Sequence, residues 1–135
     1  MTLEITPELE QRLAQEQIIW MTTTKADGTP LPNPVWFLWN GSEFLVFTEP
    51  TSVKMKNLLR NQRVALNLNS DFNGGGIAIF QAEANLNGAP VSDEEFQRYI
   101  NKYEEGLRDI GLTPEQLKAI YHPVRLIPIK FRTVN

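Results

Sequence analysis

The sequence predicts a mainly β protein, a single antiparallel sheet curled into a small barrel with helices at its periphery. Three observations predict it. Apolar or alternating segments recur along the chain and are separated by tight-turn pairs such as Asp27-Gly28 and Asn40-Gly41. Pro30, Pro32 and Pro34 share one strand parity, which strips N–H donors from one edge of their segment and places it at a sheet edge or barrel mouth. Helix-start residues at Thr6, at Thr51 or Ser52, at Ser92 and at Thr113 fall between or beside the strands.

The elements follow in chain order. Thr6 caps a helix with Pro7 at its first position, running to about Glu16. Residues 17–24 (QIIWMTTT) are β-branched and aromatic, and the Asp27-Gly28 turn joins them to a partner strand over Leu31–Trp39. Asn40-Gly41 turns the chain into a strand over Glu43–Thr48. A short helix follows, with Met55, Leu58 and Leu59 as its apolar stripe. Arg63–Asn69 alternates as a half-buried strand does, and the turn Asp71–Gly76 leads to a longer strand from Ile77 to about Leu86. Ser92-Asp93-Glu94-Glu95 is a capping box, opening a helix that carries Phe96, Tyr99, Ile100 and Tyr103 on one side. Thr113-Pro114-Glu115-Gln116 opens another, and Pro123–Val134 is extended. That makes roughly six strands and three or four helices in one domain over residues 1–135.

Thirteen basic and sixteen acidic residues leave a formal charge of −3, the wrong sign for a general nucleic-acid or membrane-surface binder. No run is apolar enough to span a bilayer and no signal-peptide pattern opens the chain, so a cytoplasmic protein is expected. The absence of cysteine excludes disulfides, thiolate catalysis and thiolate metal sites.

Against that acidic background, the stretch between Glu49 and Asp71 holds Lys54, Lys56, Arg60 and Arg63 and no acid. Lys54 and Lys56 lie in the first turn of a helix, where the dipole prefers anions. A bound phosphate would reverse that preference, because free amides, a cap hydroxyl and an ammonium together make an anion site. Solvated lysines flanking an apolar stripe are the plainer account. Val35–Trp39 carries bulk on both strand faces, so its second face needs a helix, a flat ligand or another subunit. His122 is the only histidine and sits at a helix exit. Asp93–Glu95 are explained by the helix dipole, and Asp71 with the triple glycine by a hairpin. No catalytic triad, dinucleotide fingerprint or metal-ligand spacing is visible, so a cofactor would have to supply any reactivity.

The ordered segments Ala26-Asp27-Gly28-Thr29-Pro30, Pro32-Asn33-Pro34-Val35-Trp36-Phe37, Phe44–Thr48, Ser52-Val53-Lys54, Asn57-Leu58 and Asn61–Leu66 resemble the split-barrel flavin-binding family related to pyridoxamine 5'-phosphate oxidase. The resemblance covers most of Ile18–Leu86, with an echo at Arg125–Pro128. It implies a six-stranded antiparallel split β-barrel of the FMN-binding type, working as a homodimer with cofactor sites at the interface. It implies that Ser52, the Val53 backbone and Lys54 hold the flavin phosphate, that Thr48 contacts the phosphate–ribityl part, and that Asn33, Pro34, Val35 and Trp36 lie along the isoalloxazine ring. A subunit interface would then cover the second face of Trp36–Trp39. Arg132 is a candidate for reaching cofactor or substrate across the dimer.

Oxidases that make the vitamin tend to carry arginine where this chain has Asn33 and Val53, so that reaction is not expected. The pattern is closer to the branch using the deazaflavin coenzyme F-420, although many relatives use FMN. The expectation is a flavin-dependent oxidoreductase acting on a small molecule. The alternative is a non-catalytic flavin-binding or storage protein. Haem chemistry on this scaffold would need a histidine ligand, and His122 alone is present.

Overall fold

The computed structural model describes residues 3–134. Seven strands form one antiparallel sheet in the order β2-β1-β5-β6-β7-β4-β3. They are β1 (Ile19–Thr24), β2 (Pro30–Val35), β3 (Leu38–Trp39), β4 (Phe44–Thr48), β5 (Arg63–Leu68), β6 (Ile77–Asn85) and β7 (His122–Val134). Five helices accompany them: α1 (Pro7–Gln15), α2 (Val53–Arg60), α3 (Asp93–Lys102), α4 (Glu104–Ile110) and α5 (Pro114–Ile120).

The caps act as the sequence predicts. Thr6 accepts from the Leu9 N–H, and Ser92 and Thr113 complete capping boxes with Glu95 and Gln116. The Asp27-Gly28 turn closes with Gly28 at φ 90°, a conformation that suits glycine. β2 lies at the sheet edge and pairs only with β1, so Pro30, Pro32 and Pro34 interrupt no second ladder.

The strand expected over Leu31–Trp39 is instead two strands at opposite ends of the sheet order, which is why there are seven rather than six. The chain leaves the ladder at Trp36-Phe37. There the Phe37 N–H donates to the Tyr103 hydroxyl (2.8 Å), and the Phe37 carbonyl accepts from Lys102 Nζ (2.9 Å). Side chains of α3 and its C-cap thus satisfy a peptide that would otherwise need a strand neighbour. The α2 stripe also differs from expectation. Met55, Asn57 and Leu58 are buried, whereas Leu59 is 59 % exposed.

Two apolar clusters result. The first fills the barrel with Ile19, Met21, Phe37, Phe44, Leu66, Phe80 and Leu126, all essentially inaccessible. The second lies outside it, where Leu38 and Leu45 meet Tyr99, Tyr103, Leu107 and Leu117 of the α3–α5 cap. Alternation explains the division, because Phe44 and Val46 point into the barrel while Leu45 points into the cap. Helices of the same chain therefore cover the Leu38 side of this segment, a helix being one of the three coverings its sequence allowed.

Candidate functional site

Helix α2 begins where β4 ends, and its first turn is built by hydroxyls. Ser52 is the N-cap and accepts from the Met55 N–H at 3.2 Å, while the Thr48 hydroxyl lies 3.1 Å from that of Ser52. The first turn holds no acidic residue. Val53 is exposed, Lys54 half-buried and Lys56 exposed. Among the described residues no carboxylate pairs with Lys54.

The helix is anchored from beneath by buried Thr23 and Asn57 together with exposed Arg60, a joining that the sequence reading did not foresee. Asn57, 3 % exposed, donates to the Thr23 hydroxyl at 3.0 Å. Its Oδ1 accepts from Arg60, which also donates to the Thr24 carbonyl. A buried amide with both ends satisfied fixes rotation as well as position. Its signals in the sequence were the Asn57-Leu58 pair of the family pattern and the Arg60 cation; their contact with Thr23 and Thr24 was not legible.

Lys54 lines a cavity of about 180 Å³ together with Pro34, Val35 and Trp36. The far wall comes from the cap and includes Tyr99, Leu117 and Tyr121. Those aromatic walls were not foreseen as site residues, because nothing in local sequence shows that α3–α5 fold back over β4. Burial pushes the pKa of the Tyr99 hydroxyl well above that of ordinary tyrosine, with the neighbouring Tyr103 and Tyr121 adding to the shift. It therefore stays a neutral donor.

Asn33 sits on the edge strand opposite Met21, and its Nδ2 is buried with no hydrogen-bond partner among the described residues. An unmet buried amide costs about 1–3 kcal/mol, so this donor fits an acceptor supplied by a bound group. The structure thus brings Pro34, Val35, Trp36 and Lys54 to one cavity and pairs Thr48 with Ser52 beside it. Arg132 is elsewhere within the protomer. It is exposed on β7 and lines a separate cavity with Ile79, Gln81 and Phe131. His122 is exposed at the start of β7, opposite Thr48. Among the described residues there is no cluster of metal-ligating side chains and no helix long and apolar enough to cross a membrane.

The fit to a flavin within this single chain is partial. Ligand cavities commonly occupy ~300–1,000 Å³, so about 180 Å³ encloses only part of a three-ring cofactor with a phosphate tail. The donor set nonetheless suits such a group, with a capped helix N-terminus and an ammonium for the phosphate, while the unpaired Asn33 amide lies next to Pro34 in sequence but does not line this cavity.

The family model described as pyridoxamine 5'-phosphate oxidase matches residues 5–135. A comparison with curated protein sequences returns no significant match. Among solved structures, the chain is similar to an F420 reductase (22 % identity, TM-score 0.72, covering 95 % of this chain and 98 % of that one). It is similar to HutZ, the haem storage protein of Vibrio cholerae (20 % identity, TM-score 0.71, covering 99 % and 96 %). It is also similar to a FAD-binding protein from Mesorhizobium loti (16 % identity, TM-score 0.67, covering 92 % and 87 %). At these identities the likeness is one of fold.

Proposed function

The chain belongs to the pyridoxamine 5'-phosphate oxidase family, and from that premise we propose that it is a flavin-dependent oxidoreductase, using FMN or the deazaflavin coenzyme F-420. The observation that carries this reading is the half-buried Lys54. It sits in the first turn of an acid-free, Ser52-capped helix and lines the same cavity as Pro34, Val35 and Trp36. An ammonium there, with no carboxylate partner among the described residues, favours an anionic tail.

The residues divide the work. Ser52, the Val53 backbone and Lys54 hold the phosphate, with Thr48 fixing the Ser52 hydroxyl. The segment Asn33–Trp36 lies along the ring, and Asn33 Nδ2 donates to one of its acceptors. Asn57 holds α2 at a fixed height on β1 through Thr23. When bound, the flavin carries the hydride, and the protein contributes orientation and exclusion of water.

The incomplete enclosure argues for a second copy. Strand β7 presents exposed Ile127, Ile129 and Val134 among exposed Lys130 and Arg132, and exposed apolar side chains rimmed by charge suit a partner subunit. Such a homodimer would place Arg132 within reach of the partner's cofactor. A non-catalytic flavin-binding or storage role is the second reading; it is favoured by the absence, among the described residues, of a carboxylate, histidine or thiol lining the Lys54 cavity.

The test is spectroscopic. The purified protein is expected to show flavin or deazaflavin absorption, with the cofactor identified by mass after release. Lys54→Ala should weaken binding by roughly 1.5–3 kcal/mol, as for a hydrogen bond to a charged group. Unchanged affinity would remove the phosphate assignment. Turnover with NAD(P)H or reduced deazaflavin then separates enzyme from carrier.

A further inference from the structure

The cap helices are attached to the sheet in two different ways. α3 is fastened by polar side chains. Glu95 binds Arg125 and Asn40, Arg98 donates to the Trp39 carbonyl, and Lys102 donates to that of Phe37. At its C-cap, Tyr103 accepts from the Phe37 N–H and donates to the Gln17 carbonyl. Residues 104–120, which carry α4 and α5, lack such bonds. Among the described residues, their side-chain hydrogen bonds and ion pairs stay inside the segment, between Arg108 and Glu104 and between Thr113 and Gln116. Leu107 and Leu117 are buried in the outer apolar cluster, and the Lys118 ammonium lies 5.3 Å from the centre of the Phe96 ring. Apolar burial holds a segment down without fixing its position, because it is non-directional.

Both ends of this segment rest on fixed structure. α3 gives way to α4 at Tyr103, where φ −111° and ψ 22° depart from helix geometry and no side chain caps the new helix. α5 ends at extended Tyr121, and β7 pairs with β4 from His122 onward. Between the ends, Gly111 turns the chain at φ 71°. The Leu112 N–H returns to the Leu107 carbonyl at 3.0 Å and ties α4 to the approach of α5. α4 comes down on the indole of Trp36. A Cβ at Gly106 would lie 2.9 Å from Trp36 Cζ2 and 3.0 Å from Cη2, closer than packed atoms approach. The indole cannot yield, since it stacks on the anchored Tyr103 ring with centroids 4.5 Å apart and planes at 4°. The bare backbone at Gly106 is therefore what allows α4 to close. The same segment supplies Ile110, Leu112 and Leu117 to the wall of the Lys54 cavity, and Ile110 is 60 % exposed there.

We infer that residues 104–120 are a strap that lifts off Trp36 and α3 as one unit, pivoting at Tyr103 and Tyr121, and that the cofactor enters and leaves the Lys54 cavity while the strap is raised. With the strap down the cavity holds about 180 Å³, less than ligand cavities commonly offer, so a flavin needs this wall to withdraw. Lifting exposes Leu107 and Leu117 but breaks no side-chain hydrogen bond to the rest of the described chain, which makes it the easiest opening of the cap. The movement stands on these fastenings alone. Its part as a gate rests on the flavin reading above.

The experiment measures amide hydrogen exchange on the purified full chain, dialysed free of flavin and then with FMN or F-420 in excess. Amides of 104–120 are expected to exchange together, at least about tenfold faster than those of α3. Low urea should hardly change that rate, because a local opening exposes little surface. Added flavin should slow this segment more than α3. Gly106→Ala should speed exchange across 104–120 at least about fivefold, with α3, β5 and β6 keeping wild-type protection. In a Trp36→Phe background the same change should have little effect, since the clashing ring atoms are gone and contacting residues couple in this way. Release of bound FMN, followed by its fluorescence, should quicken in Gly106→Ala by a similar factor. Equal exchange in α3 and in 104–120 would overturn the strap, as would α4 and α5 opening at separate rates. So would a Gly106→Ala effect of the same size in both backgrounds. Normal FMN or F-420 binding with release unchanged, in a variant whose strap opens faster, sinks the gate and leaves the flavin reading intact. A strap that opens in a protein taking up neither FMN nor F-420 sinks the flavin reading and the gate with it, and leaves the movement.

Discussion

The barrel interior and the α3–α5 cap are both apolar clusters, but they are secured differently. In the barrel, Phe44, Phe80 and Leu66 are inaccessible to solvent and the backbone between them is paired strand to strand. Its strength is burial and ladder. The cap shares less backbone with the sheet and is fastened by side chains. Tyr103 and Lys102 hold the Phe37 peptide. Arg125, 6 % exposed, reaches from β7 to Glu95 on α3, to Glu43 and to the carbonyls of Ala89 and Pro90. A region held by a few polar fasteners can loosen while the rest stays folded. The cavity lies between the two regions, so the cap is the wall able to adjust to a ligand.

The largest expected effect breaks the barrel side. Phe44 packs against Trp39 at 4.7 Å and Phe80 at 5.1 Å between ring centroids. Phe44→Ala should cost about 3–5 kcal/mol, as large-to-small changes in closed cores do. Chemical unfolding should show one transition shifted as a whole, with β1, β5 and β6 losing hydrogen-exchange protection together. A loss confined to the cap would mean that the barrel is not the cooperative unit.

A smaller effect sharpens the cap side. Tyr103→Phe keeps the ring on which Trp36 stacks and removes only the hydroxyl, leaving the Phe37 N–H and the Gln17 carbonyl without their partner. The expected cost is about 1–3 kcal/mol. Exchange should quicken at the Phe37 amide and in α3 and α4, while β5 and β6 keep wild-type protection. Uniform acceleration would erase the distinction between the two regions.

How much of this could be read from the sequence follows the same division. The barrel was legible because its determinants are local: alternation in Arg63–Leu68, the turn at Asp27-Gly28, and the proline parity that fixes β2 at an edge. The caps at Thr6, Ser92 and Thr113 were legible for the same reason. The break after Val35 was not, because the group that makes it affordable is a hydroxyl 66 residues away. The phosphate-side candidates Ser52 and Lys54 stood out through a local clash between charge and helix dipole. Tyr99, Tyr121 and Gly106 gave no such signal, since their part depends on how the cap folds back. Arg132 was singled out with the rest, yet within one protomer it stands apart.

The smallest effect concerns the ionic fastener. The Glu95 carboxylate accepts from Arg125 Nη2 (2.7 Å) and Nη1 (2.8 Å), from Asn40 (3.0 Å) and from the Ser92 N–H (3.1 Å). The Arg125 hydrogen bonds lead in pulling its pKa from 4.5 down to about 2. Because the folded value is the depressed one, the stabilisation is complete above the unfolded value of 4.5 and is lost as pH falls towards about 2. Allowing for screening by water, the contribution is about 1–2 kcal/mol. Glu95→Gln keeps a side-chain acceptor for Ser92 and removes the charge. Urea unfolding followed from about pH 6 down to about pH 2.5 should therefore show the variant less stable by that amount at the upper end, with the gap closing as acid is added. A gap that stays constant across the window would mean that Glu95 holds the cap by shape and neutral hydrogen bonds. Acid should then loosen α3 no sooner than it loosens the barrel.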